Sequence, residues 1–127
     1  MAEPGPDALR GRRLLVVEDE YLTAAALARS REGRGAEVVG PAGSVRAALA
    51  LVEAAGGRLD GAVLDINLRK ERAYPVADAL AARGVPFVFV TGYDARAVPD
   101  AYAGVPRCEK PVSPALLSRT LSKAVVR

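Results

Sequence analysis

The chain has 127 residues, of which 50% are apolar and 26% charged, with 18 basic against 15 acidic residues; this suffices for one domain with its own core, without disulfide or structural metal. With no histidine and a single cysteine, Cys108, it excludes Ser-His-Asp and Cys-His catalysis, histidine-ligated zinc and an intramolecular disulfide. Most of the basic residues are scattered arginines and only 5% of residues are aromatic, so no nucleic-acid face is expected; no apolar run approaches the roughly 20 residues of a membrane helix, and a cytoplasmic location is the default.

Residues 1–11, with Pro4, Gly5, Pro6 and Gly11, read as a flexible leader ahead of a domain over residues 12–127 with no output domain. The first strand is Leu14-Leu15-Val16-Val17, ending on Glu18-Asp19-Glu20. Residues 21–32, rich in Ala and Leu and closed by Gly33, predict a helix. Glu37-Val38-Val39-Gly40-Pro41 is a short strand and turn. Ser44 can cap a second helix in which Val45, Ala48, Leu49 and Val52 recur as one buried face, until Gly56-Gly57. Ala62-Val63-Leu64-Asp65-Ile66-Asn67 is an apolar run that ends abruptly on a carboxylate, before the charged Arg69-Lys70-Glu71-Arg72; it reads as a strand buried on both faces. Pro75 opens a third helix carrying Val76, Ala79 and Leu80, ended by Gly84. Pro86-Phe87-Val88-Phe89-Val90-Thr91 is a strand between turn residues. Residues 94–103 predict a short helix cut by Pro99, and residues 105–109 a weak strand. Ser113-Pro114 starts the last helix, with Leu116, Leu117, Thr120, Leu121, Ala124 and Val125 as its apolar stripe.

Five strands alternating with five helices predict an α/β, doubly wound parallel sheet of flavodoxin-like order 2-1-3-4-5. In that order Glu18, Asp19 and Asp65 become neighbours at the carboxyl edge, joined by Thr91 and Lys110 from the next two strands. Each has a bland role available: Asp19 as a helix cap, Glu18 and Lys110 as solvated charges, Asp65 and Thr91 as turn residues. Their convergence on one edge favours chemistry. Carboxylates on adjacent strand ends suit a hard cation such as Mg²⁺, and an ionised aspartate can accept a phosphoryl group. Lys110 then supplies a point charge and Thr91 a hydrogen bond to phosphoryl oxygens.

Residues 14–20 (LLVVEDE), 63–68 (VLDINL), Thr91-Gly92 and Lys110-Pro111 together resemble the receiver domain of two-component response regulators, over residues 12–127. The resemblance implies a single-domain response regulator whose phosphoacceptor is Asp65, with Mg²⁺ held by Glu18, Asp19, Asp65 and the backbone carbonyl of Asn67. It also implies phosphoryl contacts from Thr91 and Lys110, a cis Lys110–Pro111 peptide, and tuning of phosphoryl lifetime by Asn67 and Tyr93. The implied partners are a histidine kinase or histidine phosphotransfer protein and a downstream protein target, with no separate substrate turnover. Phosphorylation would draw Thr91 inward and alter the face built by the fourth helix, fifth strand and fifth helix. Residues 86–93, PFVFVTGY, are similar to the Phe-Ala-Thr-Gly-Tyr-like motif of a subgroup of stand-alone regulators, with Val90 in place of alanine. Many receivers carry an aromatic switch residue three positions before the lysine; Arg107 stands there, so Tyr93 or Tyr102 is expected to take part of that role. Two other readings are a phosphorylation-independent interaction module on the same fold and a phosphatase with an aspartate nucleophile. Such phosphatases usually carry a second aspartate two residues on, where this chain has Asn67.

Overall fold

The strands form where β-branched and aromatic residues run together, and three of the five in the main sheet are lined almost entirely by residues closed off from solvent. The computed structural model describes residues 8–30, 33–55, 57–92 and 98–125. In chain order they build β1 (Arg13–Val17), α1 (Leu22–Arg29), β2 (Glu37–Ala42), α2 (Val45–Ala55), β3 (Gly61–Asp65), β4 (Asn67–Leu68), β5 (Glu71–Arg72), α3 (Tyr74–Ala82), β6 (Phe87–Thr91), β7 (Arg107–Glu109) and α4 (Pro114–Val125). β1, β2, β3, β6 and β7 pair in parallel in the order β2-β1-β3-β6-β7, which is the expected flavodoxin-like order once the small β4–β5 hairpin is set aside.

Because side chains alternate across a strand, each central strand feeds two cores. Leu15, Val17, Ala62, Leu64 and Phe89 pack with α2 and α3 residues such as Val52 and Leu80. Leu14, Val16, Val63, Val88 and Val90 pack with α1 and α4 residues such as Leu27 and Leu117. Complete burial of β3 explains its unbroken apolar run.

Several expectations are corrected. Four α-helices stand among the described residues in place of five; within 94–103, residues 94–97 lie outside them, and the remainder forms only a 3₁₀ turn at Asp100–Tyr102, as befits a segment beginning with Pro99. The expected leader is partly folded: Leu9 is fully buried in the α1–α4 core and the Gly11 N–H donates to the Gly35 carbonyl at 2.9 Å. On α4 the buried stripe is Leu117, Ser118, Leu121 and Ser122, while Leu116 is exposed; both serines satisfy their hydroxyls on carbonyls one turn back, which is how polar residues are tolerated there.

β2 also runs through Gly40–Pro41, where a turn is expected. Between the pairs Leu15–Val39 and Val17–Ala42 the register slips by one residue, a β-bulge. Gly40 makes it possible with φ 101°, a conformation that L side chains rarely adopt. The bulge adjoins the carboxyl edge of the sheet, since the Ala42 carbonyl accepts the N–H of Glu18 at 2.9 Å.

Candidate functional site

Parallel pairing carries four strands to a common lip. Val17 stands opposite Leu64, Asp65 opposite Val90, and Thr91 opposite Glu109, so the residues ending or following β1, β3, β6 and β7 meet where open α/β sheets bind ligands.

Asp65 closes β3 and is 4% exposed. Its Oδ1 accepts the backbone N–H of Asn67 at 3.1 Å and its Oδ2 accepts the Lys110 ammonium at 2.7 Å. Lys110 follows β7, and its own N–H donates to the Thr91 carbonyl at 2.8 Å; the Lys110–Pro111 peptide is cis. Burial alone would lower the Lys110 ammonium, but the hydrogen bond and charge of Asp65, with the charges of Asp19 and Glu20, outweigh it and raise the value above 10.5. The pairing therefore supports the fold fully at neutral pH and fades only as pH climbs through that raised value.

Glu18 is buried and capping. Its Oε1 accepts the N–H groups of Thr23 at 2.7 Å and Ala24 at 3.3 Å, with a further bond from the Thr23 side chain. Tyr21, at the N-cap of α1, offers no side-chain cap, so Glu18 satisfies the orphan donors of the first turn. The capping role open to Asp19 belongs to Glu18.

Burial raises the Glu18 carboxyl above 4.5; the bonds to Thr23 and Ala24 counter this without cancelling it, and the Asp65 charge adds to the rise. A raised folded-state value means that the stability Glu18 contributes is complete below about pH 4.5 and is lost as pH rises through the raised value. Glu18→Gln keeps the accepting oxygen and removes the charge. It is expected to raise Tm by a few degrees at pH 7, with the gain vanishing near pH 4; thermal unfolding at the two pH values checks this.

Asp19 is 23% exposed at its side chain and lies 3.8 Å from the Arg69 guanidinium, which is 83% exposed. Asp65 and Lys110 line a cavity of about 330 Å³; Asp19 and Arg69 line a separate one of about 280 Å³. Glu18 and Glu20 border both. The edge thus holds two acid–cation pairs on either side of the acidic loop.

Two buried polar atoms near this edge lack any hydrogen-bond partner among the described residues, Thr91 Oγ1 and Asn67 Oδ1. Such orphans are costly in a fold, and both sit on residues singled out by the sequence. Among the described residues no group of three acidic, histidine or cysteine side chains is assembled around a metal position. The donor set is nonetheless all oxygen, and a hydrated Mg²⁺ needs only one or two carboxylates beside its waters. The residues fit that ion and do not form a dehydrated protein cage.

Of the expected switch residues, Tyr93 lies outside the described residues and Arg107 is exposed on β7 opposite Phe89. Tyr102 stacks on Tyr74 with ring centroids 5.1 Å apart and meets Phe89 edge-on at 5.8 Å. Its hydroxyl donates to the Asp78 carboxylate. Burial, followed by the bond and charge of Asp78, pushes the phenol up to about 12. Phe89 lies two residues before Thr91 and so shares its face of the sheet, which leaves Tyr102 in ring contact with the residue that shares a face with Thr91.

Glu20, Thr23, Arg69 and Glu71 were not singled out by the sequence. Glu71 Oε2 accepts the N–H of Val45 at 3.0 Å, so the loop after Asp65 reaches both Asp19 and the start of α2. The one hint was the density of charge in residues 69–72.

No protein-family model matches the chain, and no curated protein matches it. Solved structures do. The solution structure of SdrG from Sphingomonas melonis Fr1 is 40% identical with a TM-score of 0.69, covering 90% of this chain and 98% of that one. The BeF3-activated conformation of SdrG from Pseudomonas melonis Fr1 is 41% identical with a TM-score of 0.61, covering 80% and 85%. A response regulator receiver protein from Sinorhizobium medicae WSM419 shares the fold at 23% identity and a TM-score of 0.72, covering 90% and 94%.

Proposed function

The chain belongs to the receiver-domain family of response regulators, and we propose that within it this protein takes a phosphoryl group onto the Asp65 carboxylate from a phosphohistidine of a partner protein. A carboxylate oxygen of Asp65 attacks phosphorus as the bond from phosphorus to the histidine nitrogen breaks, and that nitrogen keeps the electron pair. The partner is then a histidine kinase or a histidine phosphotransfer protein.

One observation carries the reading. Asp65 is buried at a strand end with an ammonium 2.7 Å away, and an unpartnered Thr91 hydroxyl ends the adjacent strand. A transferring phosphoryl group asks mainly for positioning and charge stabilisation. Lys110 offers a compact charge to one phosphoryl oxygen, and Thr91 a hydroxyl that has nothing else to bond. Asp19, Asp65 and the Asn67 carbonyl, with Glu18 behind them, would hold Mg²⁺, which neutralises phosphoryl charge when bound. That SdrG has a BeF3-activated conformation supports the reading, since a fluoroberyllate is an anion of the kind such an edge would stabilise.

The product is a more negative edge. With the Thr91 hydroxyl engaged, the change would reach Phe89 on the same face of β6 and, through its ring contact, Tyr102, whose bond to Asp78 ties the 98–105 segment to α3. Tyr102 accordingly takes part of the aromatic role that Arg107 cannot fill. Output is contact with a downstream protein, and no independent substrate is turned over. The test is chemical: the chain should take up one phosphoryl group per molecule from a phosphodonor, and Asp65→Asn should take up none.

A further inference from the structure

The loop after Asp65 is a hairpin with two anchors. β4 and β5 pair through Asn67–Arg72 and Leu68–Glu71, Leu68 is buried, and Glu71 holds the first N–H of α2. Arg69 and Lys70 form the exposed turn between the two strands. This places one guanidinium 3.8 Å from Asp19, on a side chain that is 83% exposed, lining the same small cavity. The contrast with the other pair is chemical. Lys110 meets Asp65 at hydrogen-bond distance and is positioned for a phosphoryl oxygen, whereas Arg69 is long, exposed and has no place in phosphoryl transfer.

We infer that Arg69 is a built-in competitor for the cation: it neutralises Asp19 while the site is empty and must give way when a divalent ion takes that carboxylate. The inference rests on the reading of this edge as a cation and phosphoryl site. Arg69 is therefore a positioning residue that sets the Mg²⁺ concentration at which the site loads. An exposed pair of this length is weak and screened by salt, so it shifts the threshold without closing the site.

The test is calorimetric titration of MgCl₂ into the wild-type chain, Arg69→Ala and Arg69→Lys at fixed ionic strength. Arg69→Ala should bind Mg²⁺ about two- to fivefold more tightly, with a larger Mg²⁺-induced rise in Tm, and Arg69→Lys, which keeps the charge, should stay close to wild type. Equal or weaker binding by Arg69→Ala overturns the inference, as does equal tightening in both variants, which would make the effect one of hairpin shape. A wild-type chain that takes up no Mg²⁺ overturns the reading of the edge and the inference with it, a result distinct from a binding wild type matched by its variants.

Discussion

Lys110→Met is expected to slow phosphorylation of Asp65 by at least about 100-fold at neutral pH, the usual scale for removing one preorganised charge or donor from a transition state. Methionine keeps most of the aliphatic stem, so packing around the 46%-exposed side chain changes little. What disappears is the ammonium 2.7 Å from Asp65 Oδ2. Mg²⁺ affinity should not fall, because a cation has left the edge. That separation is diagnostic: single-turnover phosphorylation from a small-molecule donor should collapse while Mg²⁺ titration does not. A rate within about threefold of wild type would mean that Lys110 serves only as a counter-charge for a buried carboxylate.

Gly40→Ala is expected to cost about 3 kcal/mol and lower Tm by roughly 10 °C. Two terms add. The position has φ 101°, and an added Cβ would lie 2.8 Å from the Val16 carbonyl oxygen and 2.9 Å from the Ala42 nitrogen. Both neighbours are backbone, so neither can swing aside. Gly84→Ala isolates the first term, since its φ is 70° but its Cβ would meet nothing within 4 Å; a loss of roughly 1 kcal/mol is expected there. Gly104→Ala, in open space without a positive φ, should be neutral within about 0.5 kcal/mol. Thermal unfolding of the three variants reads the series. The bulge also holds Ala42 under Glu18, so damage at Gly40 should reach the acidic loop.

The sheet was legible because its signal is redundant. β3 and β6 are short apolar runs with sharp ends, and alternation with helices leaves few orders open. The same sharp ends put Asp65 and Thr91 at one lip. The remaining features lack such redundancy. The β4–β5 hairpin has strands of two residues and turns through Arg69-Lys70, with no glycine or asparagine at the turn to mark it. Leu9 is one apolar residue among prolines and glycines, and only its partners on α1 and α4 show that it is core. Gly40-Pro41 has the composition of a turn, yet here it is a bulge inside a strand. Capping by Glu18 is equally hidden, since the acid sits four residues ahead of the helix and reaches Thr23 and Ala24 only because the chain folds back. In the described part of the expected helix over 94–103, Pro99 leaves a single 3₁₀ turn at Asp100–Tyr102, and Tyr102 is held by ring contacts with Tyr74 and Phe89 in place of helical neighbours.

Intact-mass measurement after incubation with acetyl phosphate tests phosphoryl transfer to Asp65 most directly, with wild type in the presence and absence of Mg²⁺ and Asp65→Asn beside it. A single phosphoryl adduct that requires both Mg²⁺ and Asp65 is the expected result. A folded wild-type chain that gains no adduct, from acetyl phosphate or from a phosphorylated histidine kinase, would contradict it and leave a receiver fold that signals without phosphorylation.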